Sequence, residues 1–145
     1  MKYNHEEHFI TSVHYAAHSW RLALDRRLRE FGLGRSGWMA ISAIARAESL
    51  LSQIEISNLI GVEGATMVTT LDRLESSGLV TRTLHPSDRR IKQVNLTESG
   101  LALYHRLQAV ADAARQELLA GLAAEEMAMA TRLLERIREA AEKIR

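Results

Sequence analysis

Between Arg82 and Lys92 the chain carries four basic side chains, Arg82, Arg89, Arg90 and Lys92, against Asp88 alone. A basic cluster of this kind can hold phosphate without a basic protein around it. A solvated charged turn is the plainer account if charge is the only guide. A second group lies upstream, where Ala65, Thr66, Thr69 and Thr70 are followed by Asp72 and Arg73. Threonine can donate to or accept from a base edge, and its methyl can meet a thymine methyl. An ordinary solvent-facing helix surface is the competing account. A third group, His14, His18, Arg21 and Asp25, recurs at four- and three-residue steps, which place it along one side of a helix. With Trp38 nearby as an aromatic wall, a cationic member of this group would suit a carboxylated ring. Histidines packed at a junction are the simpler reading. His14 and His18 could share a zinc ion, yet no third ligand is evident, so no metal site is expected. His5-Glu6-Glu7-His8 lacks the four-residue histidine spacing of the metalloprotease motif. With no glycine-rich phosphate loop, nucleophile elbow or paired carboxylates, neither catalysis nor a cofactor is expected.

The whole chain sets the bounds. Its 145 residues suggest one domain, large enough to fold without a metal or disulfide staple. The absence of cysteine removes disulfides, thiolate zinc sites and thiol nucleophiles together. Net charge is only +1, so no global field announces a partner. Hydrophobic content of 46% with one proline argues against disorder. No apolar run approaches the ~20 residues that span a bilayer, and the polar start carries no signal-peptide core. A cytoplasmic protein without membrane contact is the expectation.

The elements that must position these groups are mostly helical. Ile10, Val13, Ala17, Trp20, Leu24, Leu28 and Phe31 predict a helix from about His5 to Phe31, stopped by Gly32 and Gly34. A second helix near Ser36 should turn Trp38, Ile41 and Ala45 inward. Ser52-Gln53-Ile54-Glu55 has the spacing of a capping box and opens a short helix that Gly61 ends. A further helix runs from Glu63 or Gly64 to Ser77, with Met67, Leu71 and Leu74 inward. Two short helices around a glycine-containing turn read as helix-turn-helix. Alternation over Leu79–Leu84 and Ile91–Leu96, around His85-Pro86-Ser87-Asp88, predicts a hairpin. A helix-turn-helix followed at once by a basic-tipped hairpin is a winged helix. Thr97 caps a long helix with Leu101, Tyr104, Leu107, Ala111, Ala114 and Leu118 on one face. A last helix follows from about Ala124. The expected fold is mostly α with a small β-hairpin wing. Residues 1–34 supply an N-terminal dimerisation helix, 35–96 the winged helix-turn-helix, and 97–145 C-terminal dimerisation helices. The terminal apolar stripes outrun the small core, so a homodimer is the economical inference.

The chain resembles the MarR family of transcriptional regulators and, within it, the SlyA subgroup. The resemblance rests on Trp20-Arg21, Asp25, Arg27-Leu28 and Trp38. It continues through Gly61-Val62-Glu63, Leu71-Asp72-Arg73-Leu74-Glu75, Gly78-Leu79-Val80 and Arg82, and ends with Ser87-Asp88-Arg89-Arg90 and Leu96-Thr97-Glu98. It implies a homodimer on pseudo-palindromic double-stranded DNA, with a recognition helix in the major groove and a wing in the minor groove. It implies that Arg89 enters the minor groove, that Asp88 orients the tip, and that Arg90 braces the wing through Asp72. Arg82 would hold phosphate or the wing base, and Ala65, Thr66, Thr69, Thr70 and Arg73 would face the operator. It also implies modulation by small aromatic acids such as salicylate, here near His14, His18, Arg21 and Trp38, and association with the nucleoid when DNA is bound. The SlyA subgroup has arginine where this chain has Thr69 and proline where it has Ala65. The docking mode therefore carries over and the operator sequence does not. Other readings are a zinc-responsive regulator of the same fold, a winged-helix interaction module without DNA binding, and a small helical metalloenzyme.

Overall fold

A computed structural model describes residues 4–145. Helix α1 (His5–Arg27) is capped by Asn4, whose side chain accepts from the amides of Glu6 and Glu7. The predicted last turn is not α-helical. Phe31 and Gly32 donate to the carbonyls of Leu28 and Arg29, so residues 29–31 tighten into a 3-10 turn that ends at Gly32 with φ 68°. Leu28, at the junction of α1 and this turn, is buried in the core. Helix α2 (Gly34–Arg46) buries Gly37, Ala40, Ile41 and Ile44. Ile41 is inward as expected, while Trp38 and Ala45 pack half-buried on the same core and the centre of the contact shifts toward Gly37 and Ala40. The two small residues explain the shift. A Cβ on Gly37 would sit 4.0 Å from Leu74 and 3.0 Å from Leu33, so the backbone there lies close to its neighbours.

Strand β1 (Leu51–Ser52) has only two residues and no alternation that a sequence could show. Its Ser52 also caps α3 (Gln53–Ile60): the hydroxyl accepts from the Glu55 amide at 3.1 Å and the Glu55 carboxylate from the Ser52 amide at 2.9 Å. Gly61, with φ 71°, ends that helix. Helix α4 (Gly64–Ser76) follows and ends in a double reach-back, with Gly78 N–H donating to Glu75 O and Leu79 N–H to Leu74 O, both 2.9 Å. This motif satisfies orphan carbonyls and needs the left-handed glycine. Strands β2 (Val80–Leu84) and β3 (Lys92–Leu96) pair antiparallel with Arg82 opposite Val94. Because β1 joins the other edge of β3, the predicted hairpin is part of a three-stranded sheet ordered β1-β3-β2.

Helix α5 (Glu98–Leu119) starts on the corner between α4 and β2. The Thr97 hydroxyl donates to Gly78 O at 2.6 Å and accepts from the Gly100 amide at 3.0 Å, while the Thr97 amide donates to Leu79 O at 3.0 Å. A Cβ on Gly100 would lie 2.0 Å from Leu79 O. This contact turns Gly100, Tyr104 and Leu107 inward and leaves Leu101, predicted inward, 46% exposed. Ile41, Ile56, Met67, Leu71, Val80, Val94 and Leu107 form the centre of the core.

The chain divides into two compact units, up to Ala114 and from Arg115 onward. In the second, α6 (Ala124–Glu142) opens with the Glu126 carboxylate accepting from the Ala123 amide at 3.0 Å. None of its described residues is buried, and Met129, Leu133 and Leu134 are exposed on it.

Gly100→Ala is expected to lower stability by about 1–3 kcal/mol, since the clashing atom is backbone and cannot rotate away. Gly121→Ala, where a Cβ meets nothing within 4 Å, is the control and should be neutral or slightly stabilising. Thermal denaturation followed by circular dichroism compares the two.

Candidate nucleic-acid interface

Helix α4 presents Ala65, Thr66, Thr69, Asp72 and Arg73 on its exposed side. Val68, which sequence reasoning passed over, is also 43% exposed there. Thr70 does not belong to this face. It is 2% exposed, and its hydroxyl shares a 2.8 Å hydrogen bond with the Ser36 hydroxyl on α2. It stands three residues after Met67 and four before Leu74, inside the buried row, so it cannot reach a base. The Thr69 hydroxyl donates to the Ala65 carbonyl at 3.2 Å, one turn back.

The wing is tied to this helix by Arg82, and here the expected pairing is corrected. The Arg82 Nη2 donates to Asp72 Oδ1 at 2.6 Å and Glu75 Oε1 at 3.0 Å. Its Nη1 donates to Gln53 Oε1 at 3.1 Å, and its backbone amide to Glu75 Oε2 at 3.1 Å. The partner of Asp72 is therefore Arg82 and not Arg90. Arg82, with its side chain only 13% exposed, is also not available to phosphate. The reason is position. Arg82 lies in the middle of β2, beside α4, whereas Arg90 lies past the strand in the turn. There Arg90 wraps Asp88, with its backbone amide and Nε on Oδ1 and its Nη2 on Oδ2, each at 3.0 Å. The Arg90 side chain remains 90% exposed. Gln53 and Glu75 were missed from the sequence. Glu75 could have been found, because it follows Asp72 by three residues and shares its side of the helix.

Hydrogen bonds from Arg82 hold the Glu75 carboxyl below its ordinary range, and those from Arg90 do the same for Asp88. Both carboxylates therefore keep their charge in mild acid. The hairpin tip closes with His85 N–H on Ile91 O at 2.8 Å and Ile91 N–H on Asp88 O at 3.0 Å. Ser87 N–H donates to His85 Nδ1 at 3.0 Å. Arg89 projects from this tip, exposed, and makes no hydrogen bond or ion pair among the described residues. The arrangement is a base in which one guanidinium ties together two carboxylates, with Arg89 uncommitted at the tip.

The third group of residues separates into two. Asp25 accepts from Arg35 Nε at 2.7 Å and from the Trp38 indole N–H at 3.0 Å, which clips α1 to α2. Burial works to raise the Asp25 pKa, but the Arg35 and Trp38 hydrogen bonds and the nearby Arg21 charge hold it below its usual value. His14 and His18 lie elsewhere, lining with Thr11 and Tyr15 an open groove of about 470 Å3 along α1. Trp38 and Arg21 do not line it. Among the described residues no three His, Cys, Asp or Glu side chains gather as a metal site would require.

A pH dependence follows from Glu75. A carboxylate whose folded pKa is depressed contributes stability above its unfolded value and loses it as pH falls through the folded one. Protection of the β2 and β3 amides, taken as exchange relative to the intrinsic rate at each pH, should thus hold steady down to the ordinary Glu75 value of 4.5 and fall below it. Glu75→Gln should show faster exchange already at neutral pH and a flatter acid response.

Comparison with known proteins places these features. Residues 31–91 match the profile described as the MarR family. The crystal structure of the transcriptional regulator PA3341 is 35% identical, with 94% of this chain and 99% of that one covered and a TM-score of 0.87. A mutant MarR from E. coli complexed with operator DNA is 26% identical over 88% of this chain and 91% of that one, with a TM-score of 0.74. The transcriptional regulator SlyA, 22% identical over 92% of this chain and 93% of that one with a TM-score of 0.78, shares the fold. With a 35% identical regulator matched along almost the full length of both chains, and the family profile covering the helix-turn-helix and the first strand and tip of the wing, this chain belongs to the MarR family.

Proposed function

We propose that the protein is a homodimeric transcriptional regulator that binds pseudo-palindromic operator DNA, with α4 in the major groove and the β2–β3 wing in the minor groove. One observation carries this reading. Arg82 ties the wing to α4 through Asp72 and Glu75, so two DNA-reading elements are held in register with Arg89 uncommitted at the tip. An arginine in a narrow minor groove meets enhanced negative potential. Asp88 keeps Arg90 beside the tip, where its exposed guanidinium adds to the local charge. Ala65, Thr66, Thr69 and Arg73 form the major-groove face, and the MarR relative crystallised with operator DNA supports the docking mode. A DNA partner puts the protein with the genome, in the cytoplasm. The exposed apolar residues of α6 support dimerisation through the terminal helices. Asp88-Arg89-Arg90 supports a SlyA-like wing. The groove beside His14 and His18, with Tyr15 as its aromatic surface, supports a small aromatic anion such as salicylate as modulator.

Fluorescence anisotropy on DNA from upstream of its own gene, over a salt series, tests the reading. Tight, salt-dependent binding is expected. Arg89→Ala should weaken it and lower the salt slope by about 1 per wing, because fewer counterions are released. Thr70→Val should leave the operator preference unchanged. The absence of binding to any upstream fragment would favour an interaction module, and affinity indifferent to millimolar salicylate would remove the modulator. Substituting Leu134 and Ile137 by glutamate should give monomers in sedimentation that lose the operator, whereas a dimeric variant would move the interface elsewhere.

A further inference from the structure

The bases that α4 can read are limited by what its outward line carries. At about 100° per residue, Ala65 and Thr69 stand within about 40° of each other. Both lie opposite the buried row of Met67, Thr70, Leu71 and Leu74. They are therefore the residues that lead into a groove, where the first turns of a recognition helix meet base edges. Neither offers a donor there. Ala65 has only its methyl. The single hydroxyl hydrogen of Thr69 is committed to the Ala65 carbonyl, which turns Oγ1 toward the helix backbone and leaves the γ-methyl outward. Asp72, next on the line, is held by Arg82, and Val68 on the flank is apolar. Thr66 carries a hydroxyl in the first turn but stands about 80° off this line. The helix contains no Lys, Asn, Gln or His, and its one arginine, Arg73, lies in the last turn.

We infer that α4 reads its half-site chiefly through thymine C5-methyl groups, which seat against the methyls of Thr69 and Ala65, and not through hydrogen bonds to guanine. This rests on the DNA-binding reading above and names the chemistry of its specificity. Thr69 is the residue that determines it. Its oxygen can still accept from an adenine or cytosine amino group, but it cannot donate to the acceptor edge of guanine.

Enrichment of a random-sequence duplex pool on the intact protein supplies the probe. The enriched duplex is then remade with deoxyuridine for thymidine in each half-site. This removes only the methyl groups and leaves pairing and the minor groove as they were. Affinity is expected to fall about three- to fivefold for each contacted methyl removed, the worth of one buried carbon. Thr69→Ser, which keeps the hydroxyl and loses the methyl, should show the same loss on thymidine DNA and no further loss on deoxyuridine DNA. Thr69→Val, which keeps the methyl and replaces the hydroxyl by a second, should bind like the parent. Equal affinity for the two duplexes, or a Thr69→Val loss as large as that of Thr69→Ser, overturns the methyl readout and leaves DNA binding standing. Failure to enrich any sequence overturns both.

Discussion

A single guanidinium decides whether the two projecting parts of the first unit act as one. Arg82 reaches Asp72 and Glu75 on α4 and Gln53 on α3 from its place on β2. A planar fork holds its donors at fixed, separated places, so Nη1 can serve Gln53 while Nη2 serves the two carboxylates; an ammonium would offer three donors from a single point. The two carboxylates are themselves about half exposed, so each pair alone is worth little, as surface ion pairs generally are. What the network supplies is geometry. It converts a hairpin, which alone would be marginal, into an extension of the helix beside it.

The same economy recurs at the start of α5. Thr97 satisfies the Gly78 carbonyl and the Gly100 amide with one hydroxyl, and Gly100 permits the backbone of α5 to touch that of Leu79. Gly78 and Gly100 thus serve different ends. The first supplies a left-handed turn at φ 74°, and the second supplies the absence of a side chain at a backbone contact. One short corner therefore joins the end of α4, the start of β2 and the start of α5.

Much of this was legible in the residues. The change from a helical to a two-residue period at Gly78, the Ser52–Glu55 box and the Thr97 cap are local signals, and each has a local cause. The expected α4 and the paired strands stand within a residue of their observed bounds. The failures are those where a local pattern has two solutions. Thr70 is short and polar enough for a groove and small enough for the core, and only the hydroxyl of Ser36, 34 residues away, settles which. Asp72 could be reached by either of two arginines, and the choice depends on the strand register that sets Arg82 opposite Val94. A two-residue strand such as β1 has no period at all. On α2, Gly37 and Ala40 outweighed the larger Trp38 because helices approach most closely where side chains are smallest.

The anchoring of α5 at its first turn has a mechanical meaning. Within the first unit the helix is held twice, at Thr97 and Gly100 on the corner and again at Leu107 in the core, about 10 Å further along. Two separated holds fix a direction as well as a position. The corner where the chain passes from α4 into β2 therefore carries the aim of this stretch of α5 with it, and neither can turn alone.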